Sequence, residues 1–371
     1  MKNQKISLLQ YFILIVIFQV GSTIVVGTGN NAKQDAWIAV ILAGLAGMII
    51  IAFYYWLLSM VPGKNLYEAV EAGIGKWVAK PVIMMYTVYF FYLSARVLRD
   101  FDELLVSSIF INTPVEIISI TMILVIGYAL YLGIEVLSRT SEVFMPYVVV
   151  FILFLAAGLF MSGEIKYTNV LPVLAEGLQP VLKVLFPSMI TFPFGEVIAF
   201  TLLLPLINPQ KKVLTASLLA VLTSTVIICL TTIIQLMTLG VDMKSRSNFP
   251  LLSAAREISL LDFIERVDLI IVFVMMFGII VKVGIFFYGG LLGMQKLFGR
   301  SYKDFVFPIG LLIAFISVLI SEDLAEHLME GLEFVPIYLH IPFQFGFPAV
   351  LALLLFLKFK KKEKAYEEHK S

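Results

Sequence analysis

Apolar runs of about 20 residues recur along the whole chain, separated by short polar stretches, and this recurrence limits the fold more than any motif does. As a helix, such a run matches the hydrocarbon thickness of a bilayer, where each backbone N–H and C=O must be satisfied within the segment. Windows of that length predict ten spans, at 8–30, 36–60, 81–107, 115–134, 143–162, 183–207, 213–238, 266–292, 305–321 and 334–357. The expected fold class is an all-α integral membrane protein. Composition excludes a water-soluble globular domain: 60% of the 371 residues are hydrophobic, 14% are charged and the mean hydropathy is +0.97. The first run follows Lys2 and Lys5 and lacks a convincing small-residue cleavage site, so it is read as a retained first span.

An even number of spans puts both termini on one side. Seventeen of the 27 basic residues fall on that side, seven on the other, and Arg96, Arg99 and Lys282 stay within spans. Basic residues gather in cytoplasmic loops, so both termini are placed in the cytoplasm. The basic tail, 358–371, reads as a solvated positive-inside anchor whose charge also suits contact with anionic lipid headgroups. On the opposite side, the segments 163–182, 239–265 and 321–333 suit an outer vestibule, a docking face or plain connectors. The apolar spacing of NFPLLSAAREISLLDFIE in the second suggests a short helix lying along the surface.

The spans divide into two sets of five, about 8–162 and 183–357, and the first member of each set is interrupted. Span 1 contains GSTIVVGTG, 21–29, and span 6 contains TFPFGE, 191–196. Corresponding glycine- or proline-broken spans point to a 5+5 inverted-repeat, transporter-like fold with its ligand site near the midplane. Pro193 removes a backbone donor, and Gly195 admits dihedrals that other residues resist. Broken backbone in hydrocarbon is tolerated where it lines protein or a water-filled cavity. The expected ligand site therefore comprises Gly21, Ser22, Thr23, Gly27 and Thr28 from span 1, with Thr191, Phe192, Phe194, Gly195 and Glu196 from span 6. A kinked structural helix carrying an inert buried carboxylate is the competing reading.

Charges within the spans narrow the site. In RVLRDFDE, Asp100 and Glu103 follow Arg96 and Arg99 at i+4, a spacing that fits either an ion-pair cap or a ligand clamp. Lys282, in span 8, needs a partner, and Glu196 is the carboxylate expected to supply it; an ammonium there suits a fixed surrogate for a coupling cation, a proton exchanger or a structural pair. One cysteine and three scattered histidines offer no disulfide and no zinc site. The sequence carries no phosphate loop, nucleotide turn or nucleophile triad, so neither an enzyme, a cofactor nor a nucleic-acid partner is expected.

In its length, its ten spans, the short basic segment before a broken first span, the Pro193-Phe194-Gly195-Glu196 element and the FIERVDLI stretch at 263–270, the chain resembles the B subunit of bacterial spore germinant receptors. That family is a branch of the amino acid/polyamine/organocation transporter superfamily. The resemblance implies a multi-pass subunit of the spore inner membrane that works with a membrane-embedded A subunit and a lipoprotein C subunit to sense nutrients such as amino acids. GSTIVVGTG departs from the family pattern in lacking the proline that often follows the glycine-containing break. A secondary amino-acid transporter would share the same broken spans, since it too needs a protected ligand cavity; a membrane scaffold or channel-like component without its own ligand is the remaining alternative.

Overall fold

A computed structural model describes residues 5–258 and 268–368. Residues 263–267 of the FIERVDLI stretch and 369–371 of the basic tail lie outside it, as do the side chains of 268 and 359–368. Among the described residues, ten helices are long and apolar enough to cross a membrane: span 1 Leu8–Val26, span 2 Asn30–Ser59, span 3 Lys76–Ser108, span 4 Val115–Leu132, span 5 Ile134–Ser162, span 6 Gln179–Leu202, span 7 Gln210–Arg246, span 8 Leu269–Phe298, span 9 Tyr302–Leu319 and span 10 Pro336–Lys358. The protein is an all-α, transporter-like membrane protein. Spans 1 and 8 are the most deeply buried, whereas spans 4, 5 and 9 turn mostly outward.

Helix packing follows the small residues. Lipid gives apolar helices no hydrophobic reason to associate, so close backbone approach and interhelical polar contacts take over. Gly290 and Gly293 of span 8 receive Phe91 and Thr87 of span 3 so closely that a Cβ on either glycine would meet them within 2.2 and 2.0 Å. Gly44 of span 2 likewise accepts Thr225 of span 7, at 2.2 Å. Buried hydroxyls are satisfied locally: Ser94, Ser138, Ser224 and Thr225 each donate to the carbonyl four residues back. A capping box opens span 1, with Ser7 Oγ accepting from Gln10 N at 3.1 Å and Gln10 Oε1 accepting from Ser7 N at 3.0 Å.

The two expected interruptions differ in kind. In span 6 the chain leaves helical dihedrals at Phe186 (φ −122°, ψ 130°) and Phe192 (φ −124°, ψ 121°). Each precedes a proline, whose ring pushes its predecessor into the extended region. In span 1, by contrast, Gly21 keeps helical dihedrals (φ −48°, ψ −63°) and donates its N–H to Ile17 O at 2.9 Å. Gly21 faces Gly278 of span 8, where a Cβ would stand 2.2 Å from the opposing Cα, so this glycine permits a helix crossing. The span 1 interruption comes later, at Gly27 and Gly29, whose φ values of 75° and 76° end the helix at the mouth of the bundle.

The short helix expected along the surface is instead tucked in. Pro250–Arg256 buries Pro250, Leu251, Leu252, Ala254 and Ala255, and the Pro250 ring lies against Gly27. Its apolar residues cover one face too wide for a headgroup-level helix and find protein to pack on.

Candidate functional site

Glu196 and Lys282 meet at the centre of the bundle. Lys282 Nζ lies 2.7 Å from Glu196 Oε2, and both side chains are almost wholly buried, at 0 and 2% exposure. The ammonium also donates to Ser22 Oγ at 3.4 Å and faces the rings of Phe192 at 4.3 Å and Phe18 at 5.3 Å. Three interrupted or crossing segments therefore supply the site: Ser22 comes from the span 1 crossing, Phe192 and Glu196 from broken span 6, and Lys282 from span 8. The aromatic faces stabilise a cation that hydrocarbon would otherwise expel.

Other predicted residues take supporting places. Thr191 Oγ1 is turned back onto Pro187 O and Ser188 O, both at 2.9 Å, so it ties the broken segment to itself. Phe194 is buried against Gly47 of span 2. Gly195 has ordinary helical dihedrals; what requires glycine there is Gln344 of span 10, whose Oε1 would lie 2.0 Å from a Cβ. Gln344 donates to Tyr89 OH at 3.1 Å, Tyr89 OH bonds His340 Nδ1 at 2.8 Å, and Tyr54 OH donates to Gln344 O at 2.7 Å. This network joins spans 2, 3 and 10 beside Glu196. Thr23 Oγ1 is buried and finds no hydrogen-bond partner among the described residues.

A small cavity of about 50 Å³ adjoins Glu196, and Phe192, Arg96, Asp100, His327, Gly331 and His340 help line it. That volume has room for a few water molecules and too little for a free amino acid. Its roof is the segment between spans 9 and 10, comprising the helix Leu324–Met329 and the turn Glu330–Phe334. Asp323 caps the helix, accepting from Glu326 N at 2.9 Å. Span 3 latches this lid. Arg96 Nη1 pairs with Glu330 Oε2 at 3.2 Å, Arg96 Nη2 donates to His327 O, and His327 Nε2 bonds Asp100 Oδ1 at 2.8 Å. Gly331 lets the guanidinium in, since a Cβ there would lie 2.6 Å from Arg96 Nη2.

The i+4 pairing holds for Arg99 and Glu103, 2.6 Å apart, and fails for Arg96 and Asp100. Both of the latter turn to the lid, because a segment packed directly over them supplies a carboxylate, a carbonyl and an imidazole. Sequence reasoning missed this latch. His327 and Glu330 lie more than 200 residues from Arg96 and carry no local pattern that names their partner.

Above the lid opens a vestibule of about 870 Å³, divided from the inner cavity by Val26, Leu328 and Leu332. All three outer segments contribute to it, through Glu176, Ser247 and Met329 among others, and Gly27 and Thr28 line it from the end of span 1. On the opposite face a second vestibule of about 920 Å³ is lined by Lys5, Glu135, Gln295 and Lys303. Between it and the Glu196–Lys282 pair stands a block of buried rings. Phe18 packs edge-on against Phe200 and Phe286 at 5.1 and 5.0 Å, and Tyr11 against Phe200 at 5.8 Å. The seal on that side is several rings deep, while on the lid side it is one layer of side chains.

Comparison with known proteins places the ten-span frame in a family. The model of the family described as "Spore germination protein" matches residues 5–325. The chain belongs to the spore germination protein family. It is 35% identical to spore germination protein KB of Bacillus subtilis (strain 168) over 99% of both chains. It is also 28% identical to spore germination protein A2 of the same organism, over 78% of this chain and 79% of the relative, and 24% identical to spore germination protein YndE, over 83 and 85%. The resemblance to germinant-receptor B subunits is thereby borne out across essentially the whole chain. Among the described residues, no group of three or more His, Cys, Asp or Glu side chains is placed to hold a metal ion.

Proposed function

We propose that this chain senses a small nutrient, an amino acid by the charge of its site, and passes the signal to an A subunit and a lipoprotein C subunit in the spore inner membrane. Its two five-span repeats, about 8–162 and 183–357, and core-facing termini are parts of the same reading. The observation that carries it is the buried Glu196–Lys282 pair beneath a latched lid. Buried ion pairs are costly to maintain, and one held at the centre of a membrane bundle is a functional site by default. A ligand ammonium competes with Lys282 for Glu196, while Arg96, at the lid end of the same cavity, is available to a ligand carboxylate once it leaves Glu330.

The closed cavity is too small for such a ligand, so binding requires the lid to rise. A ligand that binds the raised-lid state better than the closed one shifts the balance between them, and that shift is the signal. The lid carries the change to the outer face, where a partner subunit can read it.

Secondary transport is the second reading, favoured by the two opposed vestibules with an occluded site between them. Purified protein in liposomes separates the two. Saturable binding of one or more amino acids, weakened in Glu196→Gln and unaccompanied by gradient-driven uptake, supports sensing. Uptake driven by a proton or ion gradient moves the assignment to transport. Absence of binding to any amino acid by the assembled receptor contradicts both.

A further inference from the structure

Lys244, beyond the Gly240 kink of span 7, is the buried cation that the central site does not use. Its neighbours Met243 and Ser245 are exposed, but Lys244 turns inward and is 2% exposed. Among the described residues no carboxylate pairs with it. Its ammonium donates to Asn30 Oδ1 at 2.6 Å and, at 3.4 Å, to Thr28 O. Two neutral oxygens compensate a buried unit charge poorly, and a charge buried in a membrane protein ordinarily has a counter-ion. Beside it, Thr28 Oγ1 is 6% exposed at the residue level and finds no hydrogen-bond partner among the described residues.

Both observations fall on one wall of the outer vestibule, which Thr28, Gly29, Asn30 and Asn31 line together with Ser245 and Asn248. The carboxylates on that vestibule are engaged or set apart: Glu176 pairs with Lys33, and Glu333 lies on the lid side. We infer that the Thr28–Asn31 wall, charged from behind by Lys244, is a binding subsite for a small monoanion, either the carboxylate of an organic solute or a halide. The Asn30 amide oxygen stands where an oxygen of the anion would, and an arriving anion displaces it, taking the ammonium and the Thr28 hydroxyl as donors. Lys183 also lines the vestibule but is exposed, so among the described residues Lys244 supplies the one buried positive charge there, which suits a monoanion; a dianion would leave one charge of its own buried. The inference is independent of the central nutrient site, because the vestibule lies on the other side of Val26, Leu328 and Leu332.

The test uses the full chain in nanodiscs of zwitterionic lipid, which adds no anionic headgroups. The thermal unfolding midpoint is measured against potassium acetate and against potassium chloride, with ionic strength and potassium held constant by a bulky sulfonate. The expected result is a saturable rise with at least one anion, lost in Lys244→Gln and reduced in Thr28→Val. Acetate and chloride distinguish a carboxylate site from a halide site. Asn30→Asp places a built-in carboxylate at the ammonium, so its midpoint without added anion should exceed that of the wild type and no longer respond. This variant keeps the test valid even if Lys244→Gln fails to fold. No response to either anion, an equal response in all variants, or an Asn30→Asp protein less stable than the wild type would overturn the assignment.

Discussion

Glu196 and Lys282 neutralise each other only while both are present. Lys282→Met should leave a buried carboxylate without its partner and cost about 3–5 kcal/mol, the range for breaking a buried ion pair from one side. The double variant Glu196→Gln, Lys282→Met removes both charges and should recover most of that loss. Unfolding of the purified variants in detergent checks this, and losses that simply add would show that the two side chains act independently. At this scale the sequence was informative where chemistry alone demands a partner. A lysine within an apolar run has to meet an acceptor, and Glu196 was the carboxylate at a matching depth. Gly195 was legible only as a special position. Its reason, the Gln344 side chain pressing on it from span 10, depends on a contact 149 residues away in sequence and is invisible without the fold.

Among the elements, Gly21 and Gly195 part company according to what faces them. Gly21→Ala drives a methyl into the Gly278 backbone, which cannot yield without separating spans 1 and 8. Its expected cost is at or above the usual 1–3 kcal/mol for overpacking, roughly, and a second substitution in a side chain should not repair it. Gly195→Ala meets chiefly the end of Gln344, with Ile190 O at a tight but tolerable 3.0 Å, so adding Gln344→Ala should restore most of the folding. Comparable yields of monodisperse protein from Gly21→Ala and from the double variant Gly195→Ala, Gln344→Ala would contradict this. Within span 1 the sequence bounded the interruption only as 21–29, because glycine marks both a chain break and a close crossing, and only the position of span 8 tells Gly21 from Gly27 and Gly29. The lid makes a separate prediction. In a Cys229→Ser background, a cysteine at Val97, on the cavity wall beneath the lid, should react slowly with a membrane-impermeant thiol reagent. Arg96→Gln removes the latch to Glu330 and His327 and should speed that reaction. An unchanged rate would show that the lid is held by its apolar contacts alone.

For the molecule as a whole, the ten spans were readable because bilayer thickness imposes a length that apolar runs display directly. Loop-to-loop and loop-to-span contacts obey no such rule, which is why the latch and the vestibule wall emerged only from the fold. The asymmetry of the two seals gives the central site its direction: one layer of lid side chains separates it from the outer vestibule, and a stack of aromatic rings separates it from the opposite one. The proposed sensing role needs access from one side only, and this asymmetry fits it. In the proposed sensing role, nutrient recognition acts through the charge of Glu196. The most direct measurement is the nutrient concentration dependence of germination in spores carrying Glu196→Gln with normal amounts of every receptor subunit. The expected response is shifted to higher nutrient concentration or abolished, with germination by a route that bypasses nutrient receptors intact; an unchanged nutrient response would rule out an essential ionised role for Glu196.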